Sequence, residues 1–286
     1  MPPAGHQARV NTTRSEPAEG TPLVYQCALP LSRQTLTFVA DLLRARLKKI
    51  GSRWRKLPPG KIALIVVATL RHDHRLADMA GGNGISASTI HRWTWEIITL
   101  LAARAPRLDR ALATIRNGGG EVVLLDGTLI PTRRRSGTAN RRNYNGKHKK
   151  HGLLFLALTD ENGNLIWISC ARRGAASEIT AARHDHLAER LRAAGLGALA
   201  DLGFTGLDPD PEDPVIITGY KSTAARRTTP AQRQANQALS AARAPVEHGF
   251  SDLKHWRILT RLRLNPGKAT TLLRALLVLT RQHTTR

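Results

Sequence analysis

The run Val122-Val123-Leu124-Leu125 constrains the fold more than any other stretch of the chain: it is apolar at every position, the texture of a strand covered on both faces. Such a strand needs neighbours within a sheet and layers above and below it. The sequence downstream supplies them. Leu153 to Leu158 is a second apolar run, and Asn162-Gly163, a favoured hairpin turn, joins it to Leu165-Ile166-Trp167-Ile168, so these two strands are expected to pair antiparallel. A helix from about Thr180 to Ala193 leads into a strand from Ala198 to Asp201, and Val215-Ile216-Ile217 reads as another. Thr229-Pro230-Ala231-Gln232 carries the N-cap, first-turn proline and N3 glutamine of a helix start, and helices restart at Pro245 and at Asn265-Pro266.

Upstream of Asn117-Gly118-Gly119-Gly120 the periods are helical instead, which puts a boundary at those glycines. Residues 1–30 mix Pro, Gly, Ser, Thr and charge without a period and read as a flexible tail. From Leu31, apolar residues recur at Leu36, Val39, Leu43, Leu47 and Ile50, with Ser32 placed as N-cap and Gly51 as a stop. Pro58-Pro59-Gly60 introduces a second helix through Ile62, Ile65, Val66 and Thr69. A short segment with Leu76 and Met79 follows, then the break Gly81-Gly82-Asn83-Gly84. Ser86 then caps a helix whose Ile90, Trp93, Ile97 and Leu100 share a face. Helix, short helix, glycine turn and helix is the order of a helix-turn-helix, whose last helix would turn Ser88, Thr89, His91, Arg92 and Trp95 toward DNA. A plain three-helix bundle fits the same period. The expected architecture is an all-α part over 31–116 followed by an α/β part over 121–286 with a mixed sheet flanked by helices.

The chain carries 44 Lys+Arg against 21 Asp+Glu, a formal charge of +23 over 286 residues. An excess this lopsided repels itself and predicts salt-sensitive attraction to a polyanion, of which nucleic acid is the commonest. Cys27 and Cys170 are too few for a disulfide framework or a cysteine-rich zinc site, which favours an intracellular setting. The leucine-rich stretch Leu272 to Leu279 contains Arg274 and falls short of the roughly 20 apolar residues of a spanning helix. No signal-peptide pattern opens the chain. A cytoplasmic, nucleoid-associated protein with no membrane partner is expected.

Against this basic background, acidic residues beside apolar strands stand out. Asp126 follows the Val122–Leu125 run, Asp201 follows Leu199-Ala200, and Glu247 lies in the helix-like Val246-Glu247-His248-Gly249-Phe250-Ser251-Asp252-Leu253-Lys254. Cleavage of a phosphodiester with two Mg²⁺ ions needs carboxylates on rigid elements, because hard cations prefer oxygen ligands and the ions must be held about 3.5–4 Å apart. Two strand ends and a packed helix meet that need. Taken singly, an Asp before Gly is ordinary turn chemistry and Glu247 an ordinary solvated residue. On the helix that restarts at Pro245, Glu247, Ser251 and Lys254 fall on one stripe beside the apolar Val246, Phe250 and Leu253, so Lys254 is placed to meet a phosphate. Between the first two strands, Arg133-Arg134-Arg135, Arg141-Arg142 and Lys147-His148-Lys149-Lys150, with Tyr144 among them, form a basic loop able to clamp a DNA backbone; Arg133, Arg134, Lys147 and Lys149 are its candidate contacts. His72-Asp73-His74 and His184-Asp185-His186 are poor chelates, since residues two apart on a helix diverge. No P-loop and no nucleophile elbow is present, which removes nucleotide hydrolysis and acyl transfer.

Leu125-Asp126-Gly127-Thr128 with Pro131-Thr132, Ala200-Asp201-Leu202-Gly203-Phe204-Thr205-Gly206, and Val246-Glu247-His248-Gly249-Phe250 with Leu253-Lys254-His255-Trp256-Arg257-Ile258-Leu259 resemble the three blocks of DDE-superfamily insertion-sequence transposases, in the branch related to Harbinger transposases. The likeness spans about Glu121 to Leu279. It implies an RNase H-like catalytic domain, Asp126, Asp201 and Glu247 as the metal-binding catalytic triad, two Mg²⁺ ions with Mn²⁺ able to substitute, and double-stranded DNA as substrate, both terminal inverted repeats and target. Leu202 and Phe204 stand where such proteins often carry Lys and Tyr, and Ser177-Glu178 stands where a His-Asp pair is usual. The resemblance thus predicts a transposase that cuts element ends and transfers strands, as a homodimer or larger assembly on DNA. A transposase-derived DNA-binding protein without catalysis and a stand-alone metal-dependent nuclease are the alternatives.

Overall fold

The computed structural model describes residues 28–284 apart from 53–54, 134–137, 209, 211 and 224–226. The expected tail thus falls almost wholly outside the described residues. Five helices come first. α1 (Arg33–Lys49) begins where Ser32 accepts the Thr35 N–H at 3.1 Å, and α2 (Pro59–His72) opens on proline and closes at Asp73 in the left-handed conformation. The short α3 (Leu76–Gly81) and the turn after it lead into α4 (Ala87–Ala102), which Ser86 caps by accepting the Thr89 N–H at 3.2 Å. α5 (Leu108–Asn117) then delivers the chain to the sheet.

The sheet has seven strands. β1 (Val122–Pro131) pairs antiparallel with β3 (Lys150–Thr159), and β3 carries on its other edge β2 (Tyr144–Asn145), β4 (Leu165–Ile168) and β5 (Arg172–Arg173). After the helices α6 (Glu178–His184) and α7 (Leu187–Ala194), β6 (Gly197–Ala200) joins β1 in parallel, and β7 (Ile216–Ile217) joins β6 in parallel. Helices α8 (Pro230–Arg243), α9 (Pro245–Lys254) and α10 (Pro266–Thr284) complete the chain. The result is a mixed sheet flanked by helices.

Alternation along β1 decides which layer each residue meets. Leu124 and Ile130 enter a core with Val39, Leu43, Ile62, Trp93 and Leu101 from the early helices and with Phe250, Leu253 and Leu273 from the late ones. Val123 and Leu125 enter the opposite core with Leu112, Ala181, Leu187 and Leu191. The first core crosses the glycines at 118–120 without a break, so the early helices and one sheet face share their burial.

Two elements differ from the sequence reading. β1 continues past Asp126 to Pro131, because Gly127 to Pro131 stay in register with Leu156 to Gly152 of β3, so Asp126 lies within a strand. The single helix expected from Thr180 to Ala193 is two, parted at His186, which takes a left-handed φ of 53° beside Asp185, itself paired to Arg172 of β5.

Candidate active site

Parallel pairing of β1 with β6 matches Leu125 to Ala200, so the next residues on the two strands, Asp126 and Asp201, emerge side by side. Each carboxylate is held by a nearby backbone amide. Asp126 Oδ1 accepts the Gly127 N–H at 2.9 Å, and Asp201 Oδ1 accepts the Gly203 N–H at 2.8 Å, capping the turn Leu202–Phe204.

A third carboxylate joins them. Glu178 is the first residue of α6, whose start is fixed by Ser177 accepting the Thr180 N–H at 3.1 Å; Arg183 of the same helix donates to the Gly206 carbonyl at 2.9 Å, tying α6 to the loop after Asp201. Glu178 is thereby set over Gly127 and Gly203. A Cβ on Gly127 would collide with the Glu178 carboxylate, and one on Gly203 with the carboxylates of Glu178 and Asp201. A side chain at Gly127 or at Gly203, two residues after Asp201, would thus displace a carboxylate of the site.

The electrostatics follow from this crowding. Burial pushes the Asp126 carboxyl up from its usual range and the Asp201 charge adds to the rise, while the Gly127 N–H, Arg243 and Lys254 pull against it. Glu178 is pushed up by burial, then by Asp201 and Asp126, with Lys147 and Arg243 opposing. Arg243, in the last turn of α8, places Nη2 3.8 Å from Asp126 Oδ1, with both side chains mostly buried. Lys254 ends α9, which is pinned by the buried Val246, Phe250 and Leu253, each contributing roughly 1.5–3 kcal/mol by burial.

Glu247 stands differently. It lies exposed in the first turn of α9, and among the described residues no hydrogen bond or ion pair engages its carboxylate. Also among the described residues, no three His, Cys, Asp or Glu side chains are already drawn together as an ion-binding group. The donor chemistry of Asp126, Asp201 and Glu178 nonetheless suits a hard divalent cation, and their mutual repulsion is of the kind such a cation relieves.

The basic loop flanks the site. Arg141, Arg142, Lys147, Lys149 and Lys150 are exposed, as is Arg133, whose N–H meets the Leu262 carbonyl at 3.1 Å. Asn145 donates to the Gly174 carbonyl at 2.7 Å, fastening this loop to the segment that leads into Glu178. Arg134 lies outside the described residues. At the start of α4, Ser88 and Thr89 bond to the Ser86 hydroxyl at 3.0 and 2.8 Å; His91 accepts from Trp95 Nε1 at 3.1 Å, and Arg92 is exposed. Lys268 of α10 sits 5.2 Å over the Trp95 ring, so Trp95 packs against the later helices. His72 and His74 face each other at 5.2 Å, and Asp185 is paired to Arg172; neither His-Asp-His segment forms a chelate.

A mixed α/β fold with paired aspartates on adjacent parallel strands is one in which nucleases can be built. The chain belongs to the DDE superfamily endonucleases: the model of that family matches residues 125–281, from the residue before Asp126 into the last turn of α10. No curated protein and no solved structure matches the chain. Membership carries DNA as the substrate class and divalent metal ions as the cofactor class. Among the described residues, no helix is long and apolar enough to cross a membrane.

Proposed function

We propose that this protein is a transposase of the Harbinger-related branch, which binds the inverted-repeat ends of an insertion sequence and cleaves and transfers DNA strands with divalent metal. The observation that carries this reading is the emergence of Asp126 and Asp201 from neighbouring parallel strands, each sensed by Glu178. An RNase H-like catalytic domain is supported by the order of strands, three antiparallel (β4, β3, β1) followed by two parallel (β6, β7).

Asp126 and Asp201 would hold the metal, with Glu178 completing the oxygen donors. Glu247 is assigned to the same site on the helix geometry: it lies seven residues before Lys254, on one stripe of α9, and Lys254 is near enough to act on Asp126. When bound, Mg²⁺ ions supply activation of the attacking oxygen and charge relief on the leaving oxygen. The residues of the chain do the rest. Lys254 and the loop carrying Lys147 and Lys149 neutralise the phosphodiester backbone, and α6 and α9 hold the carboxylates rigid against the sheet. α3 and α4 act as a helix-turn-helix in which Ser88, Thr89, His91 and Arg92 meet the DNA, the capped first turn of α4 supplying the rigid platform. Bringing two element ends together calls for a homodimer or larger assembly.

The test uses a labelled element-end duplex, Mg²⁺ and a target plasmid. Joined product supports transposition; nicking without joining assigns a nuclease, and binding alone a DNA-binding protein.

A further inference from the structure

At the far end of α4 from its capped first turn, a second basic site is built from elements that the carboxylate centre does not use. A cleft of about 670 Å³ is lined by Arg104 in the α4–α5 connection, Arg107 and Arg110 at the start of α5, and Arg281 in the last turn of α10, with Phe38 and Thr114 in its walls. Among the described residues, no Asp or Glu lines it. Asp109, the acidic residue nearest in sequence, is drawn away to Arg190 of α7 at 2.5 Å. Among the described residues no ion pair engages Arg104, Arg107 or Arg110, and all three are exposed.

Guanidinium groups gathered on one concavity repel one another unless an anion lies between them, and their planar fork suits phosphate oxygens. The α5 N-terminus adds to this, since Arg107 gives its first amides no side-chain cap and these amides favour negative charge. Ser88 and Arg92 lie 14 and 10 residues before the end of α4 at Ala102, about 21 and 15 Å from it at 1.5 Å per residue. That is about four to six base pairs of duplex at 3.4 Å each.

We infer that the cleft formed by Arg104, Arg107, Arg110 and Arg281 grips the phosphodiester backbone of duplex DNA at a position separate from the carboxylate centre. The inference rests on the DNA-processing reading above and extends it, giving each protomer a second hold on the duplex. The anchor carries no sequence information, because guanidinium–phosphate contacts do not read bases.

The test measures binding of a random-sequence 30-base-pair duplex as a function of salt for the wild type, for Arg104→Gln/Arg107→Gln/Arg110→Gln, and for a control that removes three exposed charges elsewhere, Arg46→Gln/Lys48→Gln/Lys49→Gln. Neutralising a phosphate contact removes about 0.9 from the slope of log K against log salt, so the cleft variant is expected to lose about 2 to 3 in slope and the control less than about 1. The triple Arg→Lys variant is expected to keep most of the slope. An unchanged slope in the cleft variant, or an equal loss in the control, overturns the cleft as an anchor. Wild type that binds no duplex at any salt would instead sink the DNA-processing reading as well, and the two failures are thereby told apart.

Discussion

Replacing Arg243 by Met removes the one guanidinium in ion-pair range of Asp126 among the described residues, and the structure sets the size and the pH dependence of the cost. At 3.8 Å, with an effective dielectric near 20, the attraction is about 4 kcal/mol before solvation is counted. Against this, Arg243 Nε is buried with no hydrogen-bond partner among the described residues, so its removal returns about 1–3 kcal/mol of desolvation. The variant is expected to be less stable by about 1–3 kcal/mol near pH 8, lowering Tm by roughly 2–4 °C per kcal/mol. Folding raises the Asp126 and Glu178 carboxyls above their unfolded values, so their ionisation opposes folding above the raised values and ceases to do so below the ordinary carboxylate range. Arg243 offsets that opposition. The deficit of Arg243→Met is therefore greatest near pH 8 and fades as pH falls through the raised values. Thermal unfolding of both proteins by circular dichroism between pH 4 and pH 8, in chelator, reads this directly. An equal deficit at both ends of the range, or none at pH 8, would show that Arg243 does not act through the Asp126 charge.

The other expectations concern the same surfaces. Glu178→Gln removes a like charge from beside Asp201 and Asp126, so the chelated protein should melt higher than wild type while the rise in Tm on adding Mn²⁺ shrinks; a lower Tm in chelator would contradict the crowding of carboxylates. Gly203→Ala puts a Cβ against the ends of the Glu178 and Asp201 side chains, which must swing aside, and is expected to shrink the rise in Tm on adding Mn²⁺; an unchanged rise would contradict the placement of these carboxylates. Ser86→Ala deletes the cap of α4 and should cost about 1 kcal/mol, together with some loss of affinity for element-end DNA. Neutralising Lys254 to Gln should lower the salt slope of element-end binding by about 1 if it meets a phosphate.

Much of this architecture was written in local chemistry. The apolar runs at Val122 and Leu153, the Asn162-Gly163 turn and the capping box at Thr229 each specify an element by sterics and hydrogen bonding within a few residues, and each appears in the structure. Asp126 and Asp201 were legible because an acid following a buried strand is anomalous in so basic a chain. The length of β1 was not, since Gly127 and Thr128 lack an apolar period and are held as strand only by pairing with β3. The break at His186 falls beside the pairing of Asp185 with Arg172, a contact between residues of different elements that no local pattern records. Glu178 was visible only as a departure from the usual His-Asp pair. Its place over Gly127 and Gly203 is set by how α6 docks, which no local pattern records, and in the sequence the glycines beside the aspartates read only as turn residues.

Asp126 and Asp201 together are expected to support metal-dependent cleavage of DNA. The decisive readout is nicking of a labelled element-end duplex in Mg²⁺ or Mn²⁺, measured beside gel-shift binding of the same duplex, for the wild type, Asp126→Asn and Asp201→Asn. The wild type is expected to nick in a metal-dependent way and leave a 3′-hydroxyl, with cleavage abolished and binding retained in both variants. Cleavage that survives either substitution, or that proceeds equally well in chelator, would contradict it.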